Sequence, residues 1–278
     1  SSDGWLRLHI LVDGRGSFVL VAGEPGVGKT RLISELAIHA ADRGLQVLMG
    51  RAYEAKGMPP YLPLVEALTR YVRVRSAEEL RAELGGNAPH LAKLLPELRR
   101  LLPEVEEPPP MSPETERYLL FEAVSDFLLK VAAAKPLFLF LDDLHWADAS
   151  TLLLLEHLGR RLAGASLLVV RTFRDAELGD SHSLTGLRAE LTRQKLGVSI
   201  LLRPLGRDEA AALIEAILDH PAASHIVDTL FSAAEGNPFF TEELVRHLRE
   251  QGRELTGPQA AMEDWDIPEG VRQVIAGR

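Results

Sequence analysis

Short apolar runs alternate with longer amphipathic segments along most of the chain. Five mostly apolar runs have the length of a buried strand; they cover residues 18–22, 45–49, 137–141, 167–170 and 198–202. The segments between them have helical spacing, as in the stretch from Thr30 to Arg43 that ends at Gly44. This alternation is typical of a parallel sheet with crossover helices. The pattern therefore predicts an α/β fold with a five-stranded parallel sheet.

The segment between the second and third predicted strands is too long for a structureless loop in a compact domain. It has helical patterns at 61–74, at 77–102 with glycine and proline breaks, and at 113–134. The stretch 103–113 contains three consecutive prolines and is expected to be a stiff connector. We expect a helical insertion over residues 54–134 of the first domain.

Beyond Pro204 the strand pattern stops, and helical patterns follow at 207–218, 222–234 and 238–250. A further helical pattern covers 268–276. We expect a first domain over 1–205, a helical domain over 206–255, and a linker with the start of another unit over 256–278.

Composition and charge exclude several classes of protein. Of the 278 residues, 46% are apolar and 26% charged, which is typical of a folded globular chain. The absence of cysteine excludes disulfides, thiol nucleophiles and cysteine-bound metals. With 31 basic against 40 acidic residues, the net charge of −9 argues against direct nucleic-acid binding. No apolar run approaches the roughly 18 residues of a membrane span, so a soluble, cytoplasmic protein without membrane contact is expected.

Residues 23–30 match the pattern G-x-x-x-x-G-K-[ST], which marks a phosphate-binding loop when a strand precedes it and a helix follows. Glycines let backbone N–H groups face a phosphate at the helix N-terminus. Lys29 is expected to reach the β- and γ-phosphates and assist catalysis, and the Thr30 hydroxyl to bind Mg²⁺. The alternative, a Gly/Pro turn with an accidental lysine, leaves the flanking strand and helix unexplained. The predicted contacts to ATP or ADP are Gly23, Glu24, Pro25, Gly26, Val27, Gly28, Lys29, Thr30 and Arg31.

Two carboxylates, Asp142 and Asp143, follow the apolar run 137–141. Because ligands bind at the carboxyl edge of parallel sheets, Asp142 is predicted to serve Mg²⁺ opposite Thr30. Asp143 is predicted to orient or deprotonate the attacking water. The alternative for Asp143 is a cap of the next turn, since aspartate is shorter than the glutamate that many P-loop ATPases have there.

Arg174 follows the fourth predicted strand and is expected at the same edge. An arginine there could hold a γ-phosphate and so distinguish ATP from ADP. The alternative is a surface ion pair with Asp175 or another acid.

Three motifs carry a resemblance to a known family: GEPGVGKTRL at 23–32, LDDLHWAD at 141–148 and EGNPFF at 235–240. In these the chain resembles the STAND class of AAA-related signalling ATPases. More narrowly, it resembles the ATPase module of bacterial large LuxR-type transcription regulators and of some nucleotide cyclases and kinases. The resemblance implies an ASCE-type P-loop sheet of five parallel strands with crossover helices, followed by a small all-helical lid domain. It also implies that a winged-helix-like unit begins within 256–278.

The resemblance implies further site residues. Pro238 would lie near the adenine or another part of the nucleotide, whereas the residues alone indicate only a turn before a helix. His145 and Trp146 could be lid contacts, or an ordinary hydrogen-bonded histidine and packed aromatic. The family usually has a longer segment before the P-loop strand that touches the base. It also has sensor and effector domains after the ATPase module, so this chain is expected to be part of a larger protein.

The leading functional hypothesis is a regulatory switch that binds ATP with Mg²⁺, hydrolyses it slowly as a weak ATPase, and reports its nucleotide state to appended domains. Nucleotide-dependent self-association is possible in such a switch. The alternatives are an oligomeric AAA-type motor and a P-loop scaffold that binds nucleotide without significant hydrolysis. A small-molecule kinase is disfavoured because the segment 51–134 offers no obvious acceptor site.

Overall fold

The computed structural model describes residues 16–54, 57–174 and 197–250. Its sheet has five parallel strands in the order β2-β3-β4-β1-β5, which confirms the predicted α/β fold. The strands are β1 (Ser17–Gly23), β2 (Gln46–Arg51), β3 (Leu137–Asp142), β4 (Leu167–Arg174) and β5 (Gly197–Leu201). β4 lies between β1 and β3, so the strand that leads into the P-loop is not adjacent to the strand that ends in Asp142.

Burial along the strands explains why the apolar runs located them well. Every residue of β1 and of β3 is buried, as expected for strands covered on both faces. β4 extends further than predicted, through the polar residues Arg171 and Thr172 to Arg174. Both Arg171 and Thr172 are buried. The prediction stopped at Val170 because polar residues do not signal a buried strand, although tertiary contacts keep these two within the sheet.

Arg171 is the largest fully buried side chain among the described residues. Its guanidinium carbon lies 5.8 Å from the ring centre of Phe18. Neither Nε nor Nη1 has a hydrogen-bond partner among the described residues, and burial lowers the pKa of Arg171 to about 9. The arginine therefore still carries its charge at neutral pH inside the sheet core.

In the described residues between the P-loop and β4, seven α-helices are present. They are α1 (Lys29–Asp42), α2 (Leu62–Arg73), α3 (Ala77–Leu84), α4 (Ala88–Leu94), α5 (Glu97–Leu101), α6 (Pro113–Ala134) and α7 (Ala149–Gly159). The helical pattern over 77–102 is divided as its glycines and prolines suggested, with a 3-10 turn at Gly85–Asn87 between α3 and α4. α6 has the predicted bounds because Ser112 caps its first turn and Pro113 occupies its first position.

The helical insertion shares one apolar core with the sheet. Leu68 of α2, Leu91 of α4 and Phe127 of α6 belong to the same buried cluster as Leu139 of β3. The insertion is therefore packed as part of the sheet unit rather than as a separate folding module. None of the helices in the described ranges has the length and apolar character needed to cross a bilayer.

After β5 the chain forms α8 (Arg207–Leu218), α9 (Ser224–Ala234) and α10 (Pro238–Glu250). These three helices pack on one another around a second core that includes Ile214, Leu230 and Phe240. The contacts divide the described chain into two units: 16–22 with 30–201, and 23–29 with 202–250. The P-loop residues 23–29 thus group with the helical segment. The helix predicted over 268–276 lies outside the described residues.

Candidate nucleotide-binding site

The loop after β1 adopts the left-handed backbone that its glycines allow. Gly26 has φ 80° and Gly28 has φ 94°, a region that side chains other than glycine rarely adopt. The surroundings of the two residues differ. A Cβ on Gly28 would meet no atom within 4 Å, whereas a Cβ on Gly26 would lie 2.7 Å from Oδ1 of Asn237. Glycine at position 26 was expected because of the phosphate; the close approach of Asn237 is a second reason for a glycine there.

Lys29 begins α1, and the residue is 8% exposed. Its ammonium group donates hydrogen bonds to the carbonyl oxygens of Gly23 at 2.7 Å and Glu24 at 2.9 Å. The cation is therefore held inside the turn of the loop, where the predicted phosphate contacts would form. Its role toward the β- and γ-phosphates stays a prediction.

The Thr30 hydroxyl and the Asp142 carboxylate meet although they are 112 positions apart in sequence. Thr30 Oγ1 lies 3.0 Å from Oδ2 and 3.2 Å from Oδ1 of Asp142. Asp142 is buried, with 4% of its surface exposed. The Thr172 hydroxyl of β4 donates a further hydrogen bond to Oδ1. Hydroxyl and carboxylate oxygens are the ligands that Mg²⁺ prefers, and Mg²⁺ is usually held by one or two carboxylates together with substrate phosphates. These residues fit the predicted magnesium site.

No group of three or more His, Cys, Asp or Glu side chains within the described ranges is arranged to hold a metal ion. A site built from Thr30 and Asp142 accords with this, because it would need the phosphates to complete the coordination.

Asp143 is fixed by two neighbours that sequence analysis missed. Its backbone N–H donates to the Thr172 hydroxyl at 2.8 Å, and its φ of 54° is left-handed. Its Oδ2 accepts from Nη2 of Arg51 at 2.6 Å and from Nε at 3.1 Å. The hydrogen bonds to Asp143 raise the pKa of Arg51 above its usual value. Arg51 is the last residue of β2, and a charged residue at a strand end was the signal that could have drawn attention to it.

A cavity of about 220 Å³ opens beside these residues; it is lined by Thr30, Arg51, Tyr53, Glu66, Arg70 and Asp142 among others. Arg51 also donates its backbone N–H to Glu66 at 3.1 Å. The cavity brings two arginines and the Asp142 carboxylate together near the end of β2, beside the predicted magnesium residues.

The Gly-Asn-Pro turn contacts the P-loop through Asn237. This residue is completely buried; its Nδ2 donates to the carbonyl oxygen of Pro25 at 2.9 Å, and its Oδ1 accepts from the N–H of Phe239 at 3.1 Å. The same N–H of Phe239 lies 3.3 Å from the carbonyl oxygen of Gly26. Pro238 is half-buried at the first position of α10, and its contact with nucleotide stays a prediction.

The remaining predicted residues have the following places. Arg174 ends β4, but its side chain lies outside the described part of the chain, so its contact with the γ-phosphate stays a prediction. Arg31 is in the first turn of α1 and is exposed. His145 and Trp146 form a 3-10 turn after Asp143, and their ring centres are 4.9 Å apart.

Several solved structures are similar to this chain. A signal transduction ATPase with numerous domains (STAND) protein with a tetratricopeptide repeat sensor, PH0952 from Pyrococcus horikoshii, matches with a TM-score of 0.50 and 14% identity, over 99% of this chain and 32% of that chain. A point mutant of RuvB from Thermotoga maritima matches with a TM-score of 0.46 and 13% identity, over 88% of this chain and 59% of that chain. The chain thus spans less than two thirds of either protein.

Domain III of the replication initiation protein DnaA from Thermotoga maritima matches with a TM-score of 0.46 and 13% identity, over 92% of this chain and 89% of that chain. At these identities the likeness to the STAND protein shows a shared fold and no more. A search of curated proteins found no significant sequence match.

A family model provides the stronger result. The model described as "AAA ATPase domain" matches residues 6–170, more than half of the chain and a stretch that contains the P-loop, both aspartates and part of β4. The match agrees with the resemblance to AAA-related ATPases and with a nucleotide-binding ATPase fold. The chain belongs to the AAA ATPase domain family.

Proposed function

We propose that this protein binds ATP with Mg²⁺, hydrolyses it slowly, and uses the bound nucleotide as a signalling switch. The observation that carries the proposal is the hydrogen bond between Thr30 and Asp142, which joins the end of the P-loop motif to the end of β3. This hydroxyl and carboxylate are the residue types that hold Mg²⁺ in P-loop ATPases.

The residues have distinct roles in this proposal. Backbone N–H groups of the loop and the N-terminus of α1 bind the phosphates, and Lys29 exchanges its bonds to loop carbonyls for bonds to phosphate oxygens. Thr30 and Asp142 hold Mg²⁺, which when bound neutralises phosphate charge. Thr172 keeps the Asp142 carboxylate in place, since it donates to Oδ1 from the neighbouring strand β4.

The surroundings of Asp143 support the proposal of slow hydrolysis. Its carboxylate is engaged by two nitrogens of Arg51, and a group that activates water must be within hydrogen-bond reach of that water. Asp143 would have to leave Arg51, at least in part, before it could accept a proton. A slow turnover suits a switch, because the ATP-bound state then persists long enough for other domains to respond to it.

The switch role rests on the way the P-loop groups with the helical segment. Since residues 23–29 and 202–250 form one unit, a shift of the loop on nucleotide binding would also displace α8, α9 and α10. Appended sensor and effector domains of a larger protein would then read that change, as the name of the Pyrococcus horikoshii protein suggests for its own sensor. Self-association could depend on nucleotide, and no direct contact with nucleic acid or membrane is proposed for a cytoplasmic protein of this kind.

Turnover measured against protein concentration tests the proposal. We expect ATP binding that requires Mg²⁺ and a low hydrolysis rate per chain that is independent of concentration. A rate that climbs steeply with assembly would favour the motor. Binding without any hydrolysis above an Asp143→Asn control would favour the scaffold, and failure to bind ATP would overturn the nucleotide-binding proposal itself.

A further inference from the structure

The side chain of Asn237 joins two segments, distant in sequence, of the unit formed by residues 23–29 and 202–250. It is completely buried, and both ends of its amide are used: Oδ1 accepts from Phe239, and Nδ2 donates to Pro25, which is 212 positions away. A buried amide with both ends satisfied holds its neighbours in one arrangement, because breaking either bond leaves a buried polar group without a partner.

The two bonds have different explanations. The bond from Phe239 caps the start of α10, and aspartate or serine caps a helix about as well as asparagine does. The bond to Pro25 needs an N–H donor that reaches the loop. Helix capping therefore accounts for an acceptor oxygen at position 237. The donor nitrogen of asparagine is accounted for only by the bond to the loop.

The bond to Pro25 determines which way a loop peptide faces. In a planar trans peptide the carbonyl oxygen and the following N–H point in opposite directions. Holding the Pro25 oxygen toward Asn237 therefore directs the Gly26 N–H away from Asn237. Phe239 holds the next carbonyl, that of Gly26, in the same way. Two successive carbonyls are thus turned toward α10, as a loop needs when its N–H groups are to face a phosphate.

Gly26 shows that the contact is close. A Cβ at this position would lie 2.7 Å from Oδ1 and 3.2 Å from Nδ2 of Asn237, and 3.0 Å from Cβ of Phe239. The loop and the start of α10 fit together only because residue 26 has no side chain.

We infer that Asn237 is a positioning residue: from the start of α10 it holds the P-loop in the shape that binds phosphate. It thereby couples nucleotide affinity to the packing of the helices α8, α9 and α10. The inference rests on the proposed function and extends it, because it names the bond through which the helices would act on the nucleotide. Asn237 itself is not assigned any contact with nucleotide.

The test compares Asn237→Ser with Thr241→Val. Asn237→Ser keeps a neutral helix cap but is too short to reach the Pro25 oxygen. Thr241→Val disturbs the same first turn, since Thr241 Oγ1 donates to the Asn237 carbonyl at 3.0 Å, yet Thr241 makes no described hydrogen bond to the loop. Calorimetric titration with ATP and with ADP, both with Mg²⁺, gives the affinities. Amide hydrogen exchange of the nucleotide-free protein gives the protection of residues 23–29 and of α10 separately.

We expect Asn237→Ser to weaken ATP and ADP binding alike by about tenfold, the loss of one buried hydrogen bond. Exchange in residues 23–29 should be faster, while α10 is affected no more than in Thr241→Val. Asn237→Asp, which keeps the cap and places a carboxylate against the Pro25 oxygen, should weaken binding at least as much. Unchanged affinity and unchanged loop exchange in Asn237→Ser would reduce Asn237 to a helix cap and overturn the inference. If the wild-type protein bound no nucleotide, the proposed function would fail, whereas loop exchange would still decide whether Asn237 positions the loop.

Discussion

Residues 25–26, the outer turn of the P-loop, include predicted phosphate contacts, and the carboxyl end of β3 includes a predicted magnesium ligand; different interactions hold these two regions in place. At β3 ionised and hydroxyl groups hold one another: Thr30 and Thr172 bond to Asp142, and Arg51 pairs with Asp143. At the outer turn neutral amide bonds and the absence of a side chain on Gly26 determine the shape. Substitutions that change charge should therefore have their main effect at the end of β3, and substitutions that change side-chain size should have theirs at the outer turn.

The largest loss of ATP affinity should come from substituting Lys29, whose ammonium group lies within the P-loop. Lys29→Ala removes the charge-assisted hydrogen bonds expected to two phosphates. Each such bond contributes about 1.5–3 kcal/mol to the binding free energy. ATP affinity should fall about 1,000-fold. Thermal unfolding without nucleotide should change little, because the described hydrogen bonds of the ammonium go to carbonyl oxygens of the loop rather than to the apolar core. Calorimetric titration that found wild-type affinity in this variant would remove the P-loop assignment.

The two aspartates should separate metal binding from water activation. Asp142→Asn should weaken Mg²⁺-dependent ATP binding about tenfold or more, because it removes the charge that Thr30 and Thr172 hold in place. Asp143→Asn should spare binding and slow hydrolysis by about 100-fold, within the usual contribution of a general base. Titrations with and without Mg²⁺, together with single-turnover hydrolysis, measure both. Equal losses of affinity in the two variants would contradict the division of roles.

Adding one methyl group to Gly26 should destabilise the protein more than adding one to Gly28. Gly28→Ala incurs only the left-handed backbone, about 1–2 kcal/mol. Gly26→Ala incurs that and the overlap with Asn237, for which a further ~1–3 kcal/mol is typical, so its nucleotide-free protein should unfold several degrees lower. Differential scanning calorimetry compares them. Adding Asn237→Ser to Gly26→Ala should recover part of the loss; a double variant no more stable than Gly26→Ala would show that the overlap is relieved in some other way.

The smallest effect concerns the pair of Arg51 and Asp143, whose arginine side chain is 52% exposed. Arg51→Gln should cost at most about 1 kcal/mol of stability, as exposed pairs do, and should raise single-turnover hydrolysis several-fold by freeing Asp143. Arg73→Gln is the matched control, since Arg73 pairs with Glu97 on the surface. Added salt should raise the wild-type rate toward that of Arg51→Gln. A rate that falls in Arg51→Gln would mean that Arg51 assists hydrolysis rather than restraining it.

Much of the fold and part of the candidate site could be predicted from local sequence. β1 and β3 are buried on both faces, so each reads as a continuous apolar run, and the Ser112-Pro113 start of α6 is a strong capping signal. The end of β4 was missed because Arg171 and Thr172 look like surface residues and yet are buried. Thr172 therefore also escaped notice as the residue that joins Asp142 to the backbone of Asp143.

Local sequence is sufficient to predict most of the helices and strands, the P-loop motif and the acids that follow β3, because these depend on hydrophobic period, turn chemistry and spacing within a few residues. The strand order, the pairing of Arg51 with Asp143, and the bond from Asn237 to Pro25 are evident only in the folded chain. Each of these joins residues far apart in the chain, and nothing local distinguishes an asparagine that caps a helix from one that also holds a loop. Short-range rules select the conformation of a segment, whereas its partners depend on which surfaces become buried together.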